Sequence, residues 1–284
     1  MESRGKARAN DGYELAVTRF PAQGDAWGTM LIIGAMGVRQ DFYAPLARFF
    51  AANGIHVLAF DYRGMGWSRA GGLRGFEATL TDWATQDMDA MLAEARKPAP
   101  HLPLLVLGHS LGGQFIALAP RSREVAALLT VTAGSGWFRH NHRIPVRVRL
   151  FWFVMIPLLT PIFGYFPGKA LRMVGELPRG VAWRWRRWCL HPEYLMHEGE
   201  SARAALAGLA IPIRGYSFED DDIVTRPAID QLHGFYSAAR LERAHVRPAD
   251  IGERRIGHFG FFHERSRATF WPEALAWLSA KVVP

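Results

Sequence analysis

The chain has 284 residues, 49% of them hydrophobic, which is enough to bury a full core and argues against disorder. Its one cysteine, Cys189, excludes an intramolecular disulfide, and the start MESRGKARANDGYEL lacks the apolar stretch of a secretory signal, so a reducing cytoplasm is the expected location. The net charge of +8 is concentrated in one place: residues 137–190 hold ten Lys/Arg against one acid, Glu176, and the rest of the chain sums to −1.

In chain order, short apolar runs alternate with helical patterns, the signature of βαβ units and of an α/β fold with a mostly parallel central sheet flanked by helices. Strands are predicted over 13–20, 29–33, 55–60, 103–107, 125–131, 211–217 and 241–246, and helices over 42–52, 80–96, 111–119, 226–233 and 268–280. The rhythm breaks after Val131 and resumes at Ile211. That break predicts a helical cap inserted at 135–205 into a core made of 1–134 and 206–284.

Within the cap, residues 150–166 (LFWFVMIPLLTPIFGYF) carry no charge and approach the lower limit for spanning a bilayer. Pro157, Pro161 and Gly164 argue against one continuous helix, because each proline removes a donor and crowds the preceding turn. Two short helices over a cleft are expected instead, with some of their surface on lipid and the flanking arginines at headgroup level. The arginines are interleaved with aliphatic residues and accompany no zinc-finger or RNP pattern, so a lipid or other anionic partner is expected and nucleic acid is not.

Gly108-His109-Ser110-Leu111-Gly112-Gly113 stands between a predicted strand and a predicted helix. A serine there sits on a strained turn with its hydroxyl exposed above the sheet, and the amide of Leu111 can meet a developing oxyanion. With this motif in its strand-turn-helix context, the chain resembles the α/β-hydrolase superfamily, serine-hydrolase branch, in particular the monoacylglycerol lipases and esterases. Asp61-Tyr62-Arg63-Gly64-Met65-Gly66-Trp67-Ser68 is similar to a turn common in that superfamily; its expected role is structural, with Asp61 and Arg63 tying loops together.

The resemblance implies a triad in the order serine, acid, histidine. The acid falls in Asp220-Asp221-Asp222; Asp221 matches the spacing to Val224, and Asp220 and Asp222 stay open as alternatives. The base falls at Ile256-Gly257-His258, with His263 a surface competitor and His109 expected to pack behind the nucleophile, pointing away from it. The second oxyanion donor falls in Gly34-Ala35-Met36-Gly37, at Met36 first and Ala35 second; the usual His-Gly pair is missing, but only a backbone N–H is asked of the loop. No metal and no cofactor is expected.

These expectations add up to a serine hydrolase cleaving a small-molecule ester or thioester. Phe151, Trp152, Phe153, Met155, Leu158, Leu159 and Phe163 would line its acyl pocket. Arg184, Arg186 and Arg187 would draw anionic or lipidic substrates, or an anionic membrane surface, to the cap. A hydrolase fold kept as a binding or membrane-associating module is the alternative, as is an acyltransferase or peptidase using the same triad.

Overall fold

The computed structural model describes residues 1–140 and 143–282. Apolar runs become strands that are buried on both faces: β3 (Gly28–Ile33), β4 (Ile55–Phe60), β5 (Leu104–His109) and β6 (Val125–Val131) are almost wholly enclosed. Such runs are what a parallel sheet covered by helices on both faces demands. Two amino-terminal strands, β1 (Ser3–Arg8) and β2 (Glu14–Phe20), precede them and pair antiparallel.

Helix α1 (Ala44–Ala52) connects β3 to β4, and α2 (residues 80–96) leads from β4 to β5 with one wide π turn at Trp83–Met88. The expected helix over 111–119 is replaced by two short 3-10 turns, Ser110–Gly113 and Ile116–Leu118. Paired glycines at 112 and 113 weaken any α-helix that starts there, and close packing of the turn takes over.

Between β6 and the next sheet strand comes the inserted segment. It holds α3 (Pro145–Phe163), a two-stranded ribbon of β7 (Tyr165–Pro167) and β8 (Glu176–Pro178), α4 (Arg179–Leu190) and α5 (Glu200–Ala207). The chain then returns through β9 (Pro212–Phe218), α6 (Arg226–Gly234), β10 (Arg240–Val246) and α7 (Trp271–Val282). Strand order is β1-β2-β4-β3-β5-β6-β9-β10, parallel from β4 onward. The carboxyl ends of β3, β5, β6 and β9 therefore share one rim, where open α/β sheets gather their functional loops.

Helix α3 corrects the expectation of two short helices. It runs unbroken for 19 residues and ends at Gly164, which adopts φ +79°. A π turn at Phe151–Met155 lies just before Pro157, so the wider ladder there accommodates the donor that proline removes.

Candidate active site

β5 delivers Ser110 to the rim in a left-handed backbone conformation, φ 50°. An L-residue takes that conformation at a cost of about 1–3 kcal/mol, repaid only where the surroundings force it. The forcing contact is visible at Gly112, where a Cβ would lie 2.3 Å from the carbonyl oxygen of Ile33. Glycine lets the serine turn abut the loop after β3, so the two segments expected to supply oxyanion donors are in backbone contact. Ser110 is partly buried, and its Oγ has no hydrogen-bond partner among the described residues.

The three aspartates after β9 separate by what they touch. Asp221 is buried; its Oδ1 accepts the N–H groups of Ile223 (2.8 Å) and Val224 (2.9 Å), and its Oδ2 accepts from His258 Nδ1 at 2.8 Å. Asp220 holds the histidine loop instead, taking the amides of Ile256 (2.9 Å) and Gly257 (3.0 Å). Asp222 is exposed, 3.9 Å from Arg255. Of the three carboxylates, Asp221 is the one that meets the imidazole of His258.

The main chain of His258 is held as well. Its carbonyl accepts from Nε2 of His109 at 3.1 Å, which places the proton of the buried His109 ring on Nε2. Nδ1 of His109 then accepts from the Tyr43 hydroxyl (2.8 Å), whose oxygen accepts the Ala35 N–H (2.8 Å). Burial, then the nearby His258 ring, holds His109 well below the usual imidazole range, and burial pushes the Tyr43 phenol well up. Both groups stay neutral. His109 thus joins the loop after β3 to the backbone of His258. Sequence reasoning missed Tyr43 altogether, since a tyrosine in the turn before an amphipathic helix carries no pattern.

This line of bonds bears on the oxyanion loop. The Ala35 amide is committed to Tyr43, so of the two amides expected as oxyanion donors Ala35 is already engaged. Gly37 follows at φ +76°, and a Cβ on it would fall 1.9 Å from the carbonyl oxygen of Val174, so the inserted segment rests directly on the loop. Beside this contact a cleft of about 500 Å³ is lined by Gly37, Val38, Arg39, Asp41, Phe42 and Phe259. His263 is exposed, with its ring 6.0 Å from that of Phe42.

Asp61 and Arg63 tie loops together as expected. Asp61 accepts the amides of Gln40 and Trp67, both at 2.9 Å, and burial raises its pKa. Arg63 bridges Asp11 (2.6 Å) and Asp87 (2.7 Å).

The seven residues expected to form one acyl pocket do not share a cavity. Phe151 and Trp152 are buried against Phe166 and Trp185, whereas Phe153, Leu158 and Phe163 are exposed on the outer side of α3. Met155 and Leu159 are partly buried against the core. The physical reason is that α3 is one helix that is apolar all round: it buries one side and leaves the other uncovered.

A family model described as "Serine aminopeptidase, S33" matches residues 24–163. The monoacylglycerol lipase of Mycolicibacterium smegmatis is 33% identical over 105 residues, 37% of this chain and 36% of that protein, so the match spans about a third of the relative's length. Over nearly whole chains, the fold matches a monoglyceride lipase from Saccharomyces cerevisiae (TM-score 0.70, 16% identity, 100% and 96% covered). The chain has the α/β-hydrolase fold. A thermostable carboxyl esterase from Bacillus coagulans shares this fold at a TM-score of 0.69 and 13% identity, with 99% of each chain covered.

Proposed function

We propose that this α/β hydrolase is a serine hydrolase that cleaves carboxylic esters or thioesters of apolar acyl groups. The observation that carries the reading is the buried 2.8 Å bond between Asp221 and His258, held beside the strained Ser110 turn. In the proposed reaction, Ser110 Oγ attacks the carbonyl and His258 Nε2 takes its proton, later returning it to the leaving group. Asp221 fixes the imidazole and stabilises the imidazolium. The amides of Met36 and Leu111 receive the oxyanion, and water then hydrolyses the acyl-enzyme.

Neutral His109 favours this cycle, because its ring centroid is only 5.1 Å from that of His258 and a second positive charge there would oppose imidazolium formation. The Ser110 to His258 hydrogen bond is the one leg left for substrate to complete, as apo catalytic bonds often tighten only in the complex.

The family model's description also brings peptides to mind. An aminopeptidase needs an acid to hold a free amino terminus, and the carboxylates at this rim have partners: Asp221 in His258, Asp220 in two amides, Asp61 in Gln40 and Trp67, and the more exposed Asp41 and Asp222 in Arg39 (3.4 Å) and Arg255 (3.9 Å). Esters are therefore the favoured class.

The lipid character of the substrate is supported by α3. Val146, Leu150, Val154, Leu158 and Ile162 recur every four residues and are exposed, Val146 to 77% and Ile162 to 57%. That spacing draws one apolar stripe along a helix about 28 Å long. Exposed Arg143, Arg147 and Arg149 gather at its amino-terminal end, where the helix dipole is already positive. An anionic bilayer would cover the stripe and offset that charge. The opposite side of α3 is packed on Trp185 and Phe166, which favours lying on a membrane over crossing it.

Labelling by a fluorophosphonate probe tests the chemistry. Wild-type protein should label and hydrolyse p-nitrophenyl butyrate, and Ser110→Ala should do neither. Undiminished labelling of Ser110→Ala would remove the assignment of the nucleophile.

A further inference from the structure

On the other side of the inserted segment, a groove of about 550 Å³ lies between α4 and the turn Tyr194–Glu198. Its apolar lining includes Trp183 and Leu190, and its polar lining Arg184, Arg186, Arg187, His191 and His197. The sequence treats the three arginines alike, but the structure divides them. Arg184 is neutralised by Glu198, which also accepts from Trp188 Nε1 at 2.6 Å. Nearby Glu193 is taken by Arg203 at 2.7 Å. Arg186 and Arg187 have no carboxylate partner among the described residues.

Arg186 is also anchored. Its Nε–H donates to the Trp152 carbonyl at 2.7 Å, and its guanidinium lies 5.6 Å from the Trp183 ring, so the terminal N–H groups are presented from a fixed stem. Burial lowers the pKa of Arg186, as expected of a cation drawn out of water without a counterion. The two imidazoles stack at 3.9 Å and 22°. Nδ1 of His191 accepts the Glu193 amide at 3.2 Å, which puts its proton on Nε2 as a further donor.

We propose that this groove is a binding site for a phosphate ester, held by Arg186 and Arg187 with an apolar portion of the ligand against Trp183 and Leu190. A phosphate matches the donor set because guanidinium groups offer paired N–H bonds to its oxygens and an imidazole N–H can take a third. The site deepens the lipid reading of the function, yet its occupancy requires no turnover, so the two fail separately.

The test is calorimetric titration of the full chain with glycerol phosphate at low ionic strength, with succinate as a carboxylate control. Wild type should bind glycerol phosphate saturably in the millimolar range or tighter and succinate at least tenfold more weakly. Arg186→Gln/Arg187→Gln should lose at least tenfold in affinity, and Arg147→Gln/Arg149→Gln, with the same charge change elsewhere, should lose less than twofold. Arg187→Gln alone, at an exposed position, repeats the measurement if the double variant does not fold. Absence of saturable binding in wild type, equal binding of succinate, or equal losses in the two double variants would overturn the proposal.

A second arm identifies the source. Cosedimentation with vesicles of phosphatidic acid in phosphatidylcholine, weakened in the groove variant and competed by glycerol phosphate, assigns the site to a lipid headgroup. Unchanged cosedimentation beside a lost calorimetric signal assigns it to a free phosphate ester. Hydrolysis of p-nitrophenyl butyrate should stay within twofold in both variants; loss of turnover in wild type would defeat the hydrolase reading and leave the groove untouched.

Discussion

The rim of the sheet and the outer face of α3 are built on opposite rules. At the rim, the buried polar groups Asp61, Asp221, Tyr43 and His109 and the partly buried Asp220 each have named partners within 3.2 Å. On α3, apolar side chains face outward with nothing over them, and arginines crowd the wrong end of a helix dipole. The first region is complete within the chain, and the second gains stability when something else arrives. Chemistry that must stay registered to a few tenths of an ångström is placed in the former, and contact with the outside in the latter.

The largest break of this contrast comes from altering one rim carboxylate at a time. Asp221→Asn should lower kcat on p-nitrophenyl butyrate by roughly 10⁴, because the amide cannot hold the imidazole in the productive tautomer. Asp222→Asn, with an exposed side chain, should stay within about twofold. Similar losses in both would mean that the Asp221 to His258 bond is not what orients the base.

Packing gives the next contrast, within α3 itself. Trp152→Ala should destabilise the fold by about 3–5 kcal/mol in urea, since it empties a buried site against Phe151 and Trp185. The exposed side of the same helix should tolerate change, within about 0.5 kcal/mol.

Much of this architecture could be read from residues alone, and the exceptions have physical causes. The parallel strands are legible because burial on both faces leaves runs such as LLVLGH and VAALLTV with no polar alternation. β1 was missed because SRGKAR is polar and only Ala7 is buried; the strand exists by pairing with β2, not by hydrophobic pattern. The residues of the Ser110 turn are legible from glycine spacing, but its Tyr43 and His109 supports come from distant segments and leave no local period. The apolar character of α3 is legible in LFWFVMIPLLTPIFGYF, whereas its direction is not: composition does not say which side of an all-apolar helix faces the protein.

Acid should separate imidazoles that the fold keeps neutral from those left in water. His233 is buried, bonded to Thr130 Oγ1 at 3.0 Å, and burial lowers its pKa to about 4. The folded state therefore binds its proton later than the unfolded chain does. Stability from this group is intact above about pH 6.5 and falls through the window from 6.5 to 4, by about 3 kcal/mol in all. Urea midpoints of wild type and His233→Leu should converge as pH drops across that window, and parallel curves would show that His233 does not carry the effect.

The smallest effect on the molecule itself belongs to the outer face of α3. Leu158 is 56% exposed, and Leu158→Asp should leave the urea midpoint and the hydrolysis of p-nitrophenyl butyrate nearly unchanged. Placed in the middle of the stripe, however, the new carboxylate would have to enter the headgroup region of an anionic bilayer, where both desolvation and like charge oppose it. Binding to vesicles of phosphatidylglycerol in phosphatidylcholine should drop by tenfold or more. Because apolar contact and arginine attraction respond differently to salt, raising ionic strength should weaken wild-type binding without abolishing it. Full retention of vesicle binding in Leu158→Asp would show that the exposed stripe is not what meets the lipid, and the contrast between the self-sufficient rim and the outward-facing helix would lose its functional meaning.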